Sequence, residues 1–305
     1  MRLRWDRLAV LAGIVVLGVL VTVSALTGGR PGAAHAAVAT PRPAPTPAAT
    51  PVACPTPPAG TVLHSAPLPG GRPATRPRPT ASATTARDAV GTVGSPGPGA
   101  VPAADEVRTV ALTFDDGPSR WTPQVLDVLR RNHVPATFFV IGGNAATHPD
   151  LVRREVTEGH LVGNHTWTHT PPPSGRTWPA TKLAAELDRT DTLLEHLTGR
   201  RTCWFRPPAG VLAGTATPAS HRGLSVVLWS VDSLDWLVQD RAGADPGGVL
   251  ARRIVARATA DGDQAHPIVL MHDGGGYRQA TIDALPTVIA FYRAHGYTFV
   301  RLDGQ

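Results

Sequence analysis

Two successive carboxylates, Asp115 and Asp116, end an apolar run and are followed by Gly117 and Pro118. Adjacent carboxylates repel, which drives at least one toward its protonated form unless a cation or hydrogen-bond donors compensate. A metal ion on one and an arginine near the other would do so, although a plain Asp-Asp-Gly-Pro turn also accounts for the residues. Farther along, His165 and His169 stand four apart, close enough to share one ion on a helical turn or a tight loop. No Glu follows His165, so the pair is not of the zincin type. With a carboxylate from another segment, two nitrogens and one oxygen make a three-ligand site with positions left for water and substrate, the catalytic form of a zinc site.

Such groups need a scaffold that gathers them. From residue 107 onward, strand-like segments at 109–114, 137–141, 160–163, 202–205, 225–229, 268–271 and 298–302 alternate with amphipathic stretches. Helical spacing of apolar residues runs through 123–131, 149–158, 180–197, 246–259 and 282–295, and Pro123, Pro149 and Pro246 suit first-turn positions. The alternation predicts about seven strand-helix units with parallel strands, in a barrel or an open sheet. Asp115, Asp116, His165, Arg206, Asp232, Asp235 and His272 each follow an expected strand end. In a parallel barrel those ends open on one face, so residues distant in the chain converge there.

The remainder of the chain is of another kind. Residues 27–106 hold 17 of the 31 prolines and read as a Pro/Ala/Thr-rich disordered linker. Residues 1–26 combine an Arg-rich start with an uncharged run over 8–26, which predicts a signal anchor or a cleaved signal peptide. Either places the domain at 107–305 outside the cytoplasmic membrane, anchored by the N-terminal segment or secreted to the cell wall, with the membrane as a partner in the first case. The net charge of +6 divides into +7 for residues 1–104 and −1 for 105–305, so the folded part has no excess charge for phosphates and nucleic acid is excluded as a partner. Cys54 and Cys203 are too few for a disulfide scaffold and could pair or remain thiols.

Thr113–Pro118, His165–His169, Phe205–Gly210, Asp232–Trp236 and Leu270–His272 resemble the five ordered motifs of the polysaccharide deacetylases, the NodB-homology group of carbohydrate esterase family 4. The resemblance implies a distorted (β/α) barrel, preceded here by the membrane segment and linker, and metal-dependent removal of acetyl groups from N-acetylated sugars. It implies that Asp116, His165 and His169 hold one divalent metal, Zn²⁺ by expectation, with Co²⁺, Ni²⁺ or Mn²⁺ also suited to such ligands. Asp115 would be the general base, paired with Arg206, and His272 the general acid, paired with Asp235. The N–H of Ala209 would bind the oxyanion, and Trp236 and Leu270 would wall the acetyl pocket. The third motif usually carries an aromatic residue, most often Tyr, where this chain has Ala209. The expected function is an exported hydrolase deacetylating N-acetylglucosamine units of peptidoglycan or a related wall polysaccharide. Chitooligosaccharide deacetylation, xylan O-deacetylation and an inactive wall-binding module are the alternatives.

Overall fold

The computed structural model describes residues 54, 62–63, 107–238, 245, 248–260, 262 and 264–305, all within the unit Ala49–Gln305. In chain order the elements are β1 (Val62–Leu63), β2 (Thr109–Asp115), α1 (Thr122–Arg131), β3 (Thr137–Val140), α2 (Gly142–Thr147), α3 (Pro149–Thr157) and β4 (Leu161–Asn164). Then follow α4 (Ala180–Thr198), β5 (Trp204–Phe205), α5 (Ala216–Ser220), β6 (Ser225–Val227), β7 (Val231–Asp232), α6 (Val249–Ala258), β8 (Ile268–His272), α7 (Gln279–Ala294) and β9 (Thr298–Phe299). The strands run β1-β6-β5-β4-β3-β2-β8-β7 across the sheet, with β9 against β2, and their pairings are parallel. This is a distorted barrel: β6 and β7 are not paired with each other, and β1 lies along the free side of β6.

Alternation along each strand divides the core in two. Phe114, Phe138, Val140, Val269 and Met271 face outward into a layer shared with α1 and α7, where Val125, Leu129, Leu285 and Val288 are also buried. Ala111, Phe139, Trp204, Val227 and Ile268 face inward and fill the barrel with Val300 and Leu302. Both faces of the strands are covered, as the short continuous apolar runs require. Truncating an inner side chain such as Phe139 to Ala would cost about 3–5 kcal/mol. Helix α4 buries Leu183, Leu187, Leu194 and Leu197 along one stripe and ends at Gly199, whose φ of 67° gives a left-handed C-terminal cap.

Two points of the linker stretch are tied to the barrel. Val62–Leu63 pair in parallel with Val226–Val227, and Cys54 forms a disulfide with Cys203, settling the alternatives left open for the two cysteines.

The membrane-anchor expectation is corrected. No helix among the described residues is long and apolar enough to cross a membrane. The longest of these, α4, has 19 residues but carries six charged residues, Lys182, Glu186, Asp188, Arg189, Asp191 and Glu195. The apolar run at 8–26 lies outside the described residues. No helix of the described residues thus supports the membrane as part of the fold, as a partner or as a location.

Candidate active site

The alternation that packs the barrel also aims the site. Along β2, Ala111, Thr113 and Asp115 share the inner face; along β8, Ile268, Leu270 and His272 do the same. The register sets Asp115 beside His272 at the C-terminal ends of these neighbouring strands. Trp204 on β5 points inward, and two residues later Arg206 does too, fully buried. Three chemically distinct side chains thus emerge together at one end of the barrel because each continues an inward-facing row.

Asp116, His165 and His169 form one cluster whose ligand atoms all lie within 4.8 Å of one another. Asp116 Oδ1 is 3.1 Å from His169 Nε2 and 3.5 Å from His165 Nε2, yet it is buried and makes no hydrogen bond. Two imidazole nitrogens close to an unsatisfied carboxylate oxygen fit a shared cation. The protonation states fit as well. Burial would raise the Asp116 pKa, but the facing His165 and His169 imidazoles outweigh it and hold the group well below the ordinary carboxylate range. Burial and the neighbouring His165 lower the His169 pKa, favouring its neutral, ligating form. His165 Nδ1 lies 2.7 Å from the Arg206 carbonyl, so Nδ1–H is donated there and Nε2 keeps its lone pair for an ion. The cluster can hold a divalent metal.

Two acid-base pairs flank it. Arg206 Nη1 donates to Asp115 Oδ1 and to Thr113 Oγ1, each at 2.8 Å, and its Nη2 donates to the Leu228 carbonyl at 3.0 Å. Asp115 Oδ2 remains directed toward His165 Nε2, 3.6 Å away. On the other side, His272 Nδ1 meets Asp235 Oδ1 at 2.7 Å. Asp235 also accepts from the His272 main-chain N–H at 2.8 Å and from Thr281 Oγ1 at 2.9 Å. Burial works against the His272 charge, but Asp235 overcomes it and raises the pKa to about 9. The same pair lowers the Asp235 pKa against its own burial.

Strained backbone concentrates here. Six non-glycine residues among those described have positive φ, and Asp116, Thr166, His169, Ala209 and Leu234 fall in the motif loops. Asp232 accepts from the Leu234 N–H at 2.8 Å, shaping the turn that delivers Asp235 rather than joining the cluster. Ala209 is exposed with φ 54°. Leu270 is buried on the His272 face of β8, whereas Trp236 is 43% exposed on the rim.

Several supports escape a reading of the sequence. Glu186, on α4, accepts from the Trp167 and Thr168 N–H groups at 2.9 and 2.7 Å and fixes the loop between the two histidines. Asn144, on α2, donates to the Asp116 carbonyl at 2.8 Å. Arg278 is buried and donates to the Asp235 and Gly274 carbonyls. Only glycine fits at 274, since a Cβ there would lie 2.0 Å from the Asp116 carbonyl oxygen. Of these, Gly274 alone carries a signal, as the first of three successive glycines after Asp273.

The family described as polysaccharide deacetylase matches residues 103–224. The chain is 37% identical over 204 residues to the peptidoglycan-N-acetylglucosamine deacetylase PgdA of Listeria monocytogenes, an alignment covering 67% of this chain and 40% of that protein. It therefore spans less than half the length of that relative. A peptidoglycan-N-acetylglucosamine deacetylase of Bacillus cereus is 36% identical over 205 residues, covering 63% of this chain and 85% of that one. Among solved structures, the polysaccharide deacetylase Bc1974 from Bacillus cereus superposes with a TM-score of 0.56 at 30% identity, covering 64% of this chain and 91% of that one. Sequence and fold agree on the same relatives across most of the barrel, and the chain belongs to the polysaccharide deacetylases of carbohydrate esterase family 4.

Proposed function

We propose that the chain is a metal-dependent hydrolase that removes acetyl groups from N-acetylglucosamine units of peptidoglycan, with Zn²⁺ held by Asp116, His165 and His169. The observation that carries this reading is the convergence, at one barrel end, of a cation-ready cluster with two separately buried acid-base pairs. The names of the Listeria and Bacillus relatives support peptidoglycan as the polymer.

When bound, the ion supplies Lewis acidity, polarising the acetyl carbonyl and lowering the pKa of a water to about 7. Asp115 takes a proton from the attacking water through Oδ2, because its Oδ1 is occupied by Arg206. Arg206, always charged and held by four oxygens, keeps that carboxylate oriented. The main-chain N–H of Ala209 donates to the oxyanion that forms as the carbonyl carbon becomes tetrahedral. His272 gives the Nε2 proton to the departing nitrogen as the C–N bond breaks, since Nδ1 is engaged by Asp235. The new carboxyl group gives its proton to the amine, leaving acetate and an ammonium group, and the proton on Asp115 passes through water to His272 and restores both residues. Trp236 and Leu270 border the space for the acetyl methyl.

The test is amine release from N-acetylglucosamine oligomers and isolated peptidoglycan, after chelation and after adding Zn²⁺ or Co²⁺. Activity should vanish on chelation and return with metal. Full activity in the stripped protein overturns metal dependence, and no amine release from either substrate by metal-loaded protein overturns the hydrolase assignment.

A further inference from the structure

We propose that Cys54 and Leu63 are the two anchor points of a positioning strap for Arg206, an inference that rests on the hydrolase reading. Its two described ends are fixed to the strands that hold Arg206. At one end Cys54 is bonded to Cys203, which directly precedes β5 and stands three residues before Arg206. At the other, Leu63 pairs with Val227, and its carbonyl accepts from the Leu228 N–H at 2.9 Å. Leu63 also packs on the inner barrel cluster with Trp204 and Trp229.

The residues that the strap grips are those that grip Arg206. Nε of Arg206 donates to the Val227 carbonyl at 3.4 Å and Nη2 to the Leu228 carbonyl at 3.0 Å. The opposite edge of the guanidinium meets Asp115. A relay therefore runs from Leu63 O to Leu228 N–H, across one residue to Leu228 O, and on through Arg206 to the base. Without β1, β6 becomes an edge strand of the ordered sheet, and its exit loses the bond that sets the Val227–Leu228 peptide plane, whose carbonyl accepts from Arg206 Nε.

A two-residue strand docks weakly by itself. The disulfide compensates by position. Leu63 lies 46 residues from the start of β2 but nine from Cys54. By loop-closure scaling, tethering at Cys54 raises its local concentration at β6 by on the order of tenfold. Opening the disulfide should therefore release β1 and loosen the Arg206 cradle while leaving Asp116, His165 and His169 in place.

The experiment uses the full chain, oxidised or reduced with dithiothreitol, which ends as a cyclic disulfide while Cys54 and Cys203 become thiols, and the Cys54→Ser variant. Hydrogen exchange over residues 225–229 should accelerate about tenfold on reduction, in line with the lost tether, while 161–165 and 268–272 stay unchanged. Unaltered exchange at 225–229 overturns the strap. In activity on N-acetylglucosamine oligomers, Cys54→Ser should lower kcat severalfold with metal stoichiometry intact, and should change kcat less than about twofold when Arg206→Lys is already present. Equal losses in both backgrounds, or loss of the metal, overturn action through Arg206. Failure of the hydrolase reading would show separately, as wild-type protein that releases no amine, while the exchange result still decides whether the strap holds β6.

Discussion

Asp235→Asn separates the charge of Asp235 from its shape. The amide is nearly isosteric and keeps an oxygen to accept from the His272 N–H and Thr281, which both bond to Asp235 in the native site. What disappears is the charge that raises His272 from 6.5 to about 9 against burial. Asp115 and Asp116 still oppose burial, but without its main partner the imidazole falls back toward its ordinary 6.5, a change of at most about 3 kcal/mol. At pH 8 the protonated fraction falls from about nine-tenths to about 3%, so kcat should drop about 30-fold if His272 is the acid. At pH 6 both forms are largely protonated and the loss should be less than about twofold. The field of a bound dication acts on wild type and variant alike, so the measured quantity is the separation between their basic limbs. The assay is kcat against pH on an N-acetylglucosamine oligomer with metal saturating, and circular dichroism to show the fold is kept. A loss of equal size at pH 6 and pH 8 would refute the reasoning, because it would make Asp235 a structural support rather than the source of the His272 charge.

Asp115→Asn should retain metal, measured by stoichiometry after dialysis, and lose about 10²-fold or more in kcat, whereas His169→Ala should bind metal weakly. Loss of metal by the Asp115 variant would reassign that carboxylate as a ligand. Ala209→Tyr should alter KM or preference among oligomers more than kcat on a small substrate, since the main-chain donor is common to both residues; a collapse of kcat alone would count against that assignment. Ala209→Pro would be a poor probe of the N–H, because proline cannot take the φ of 54° found there. Glu155, fully buried with both carboxyl oxygens unpartnered, has its pKa raised well above normal, chiefly by burial and further by Asp273. Native protein therefore binds a proton that unfolded protein releases above about pH 4.3, and stability falls as pH rises toward the native pKa. Glu155→Met should remove that slope and add about 1–3 kcal/mol at pH 8, or roughly 2–4 °C per kcal/mol in Tm. A lower Tm, or an unchanged pH slope, would place a compensating partner at Glu155.

The parts of the site legible in the sequence are those where local pattern and chemistry coincide. Asp115 and His272 each end an apolar row of period two, so the strand that packs the barrel also aims the group, and parallel order brings the strand ends together. Arg206 is legible in the same way, two residues beyond inward-facing Trp204. Glu186 is not, because the surface of α4 has acids at 186, 188, 191 and 195 and nothing in their spacing tells which one a distant loop will use. Helix α2 has too few turns to show a period, and β7 is only two residues long. The membrane expectation rested on the composition of an apolar run that lies outside the described residues.

The strap shows the converse limit. Proline-rich composition describes the average behaviour of 27–106 but not a cysteine and a two-residue strand within it, whose significance depends on what lies across the sheet. Leu63 resembles any linker leucine until Leu228 N–H is seen to need an acceptor at the unpaired side of β6. The main-chain groups of 227 and 228 face two ways, toward β1 and toward Arg206. A contact outside the recognised domain thus reaches the peptide groups that hold the Asp115-bonded Arg206. Sequence motifs identify which side chains can do the chemistry; the hydrogen-bond accounts of the peptides between them identify what holds those side chains still.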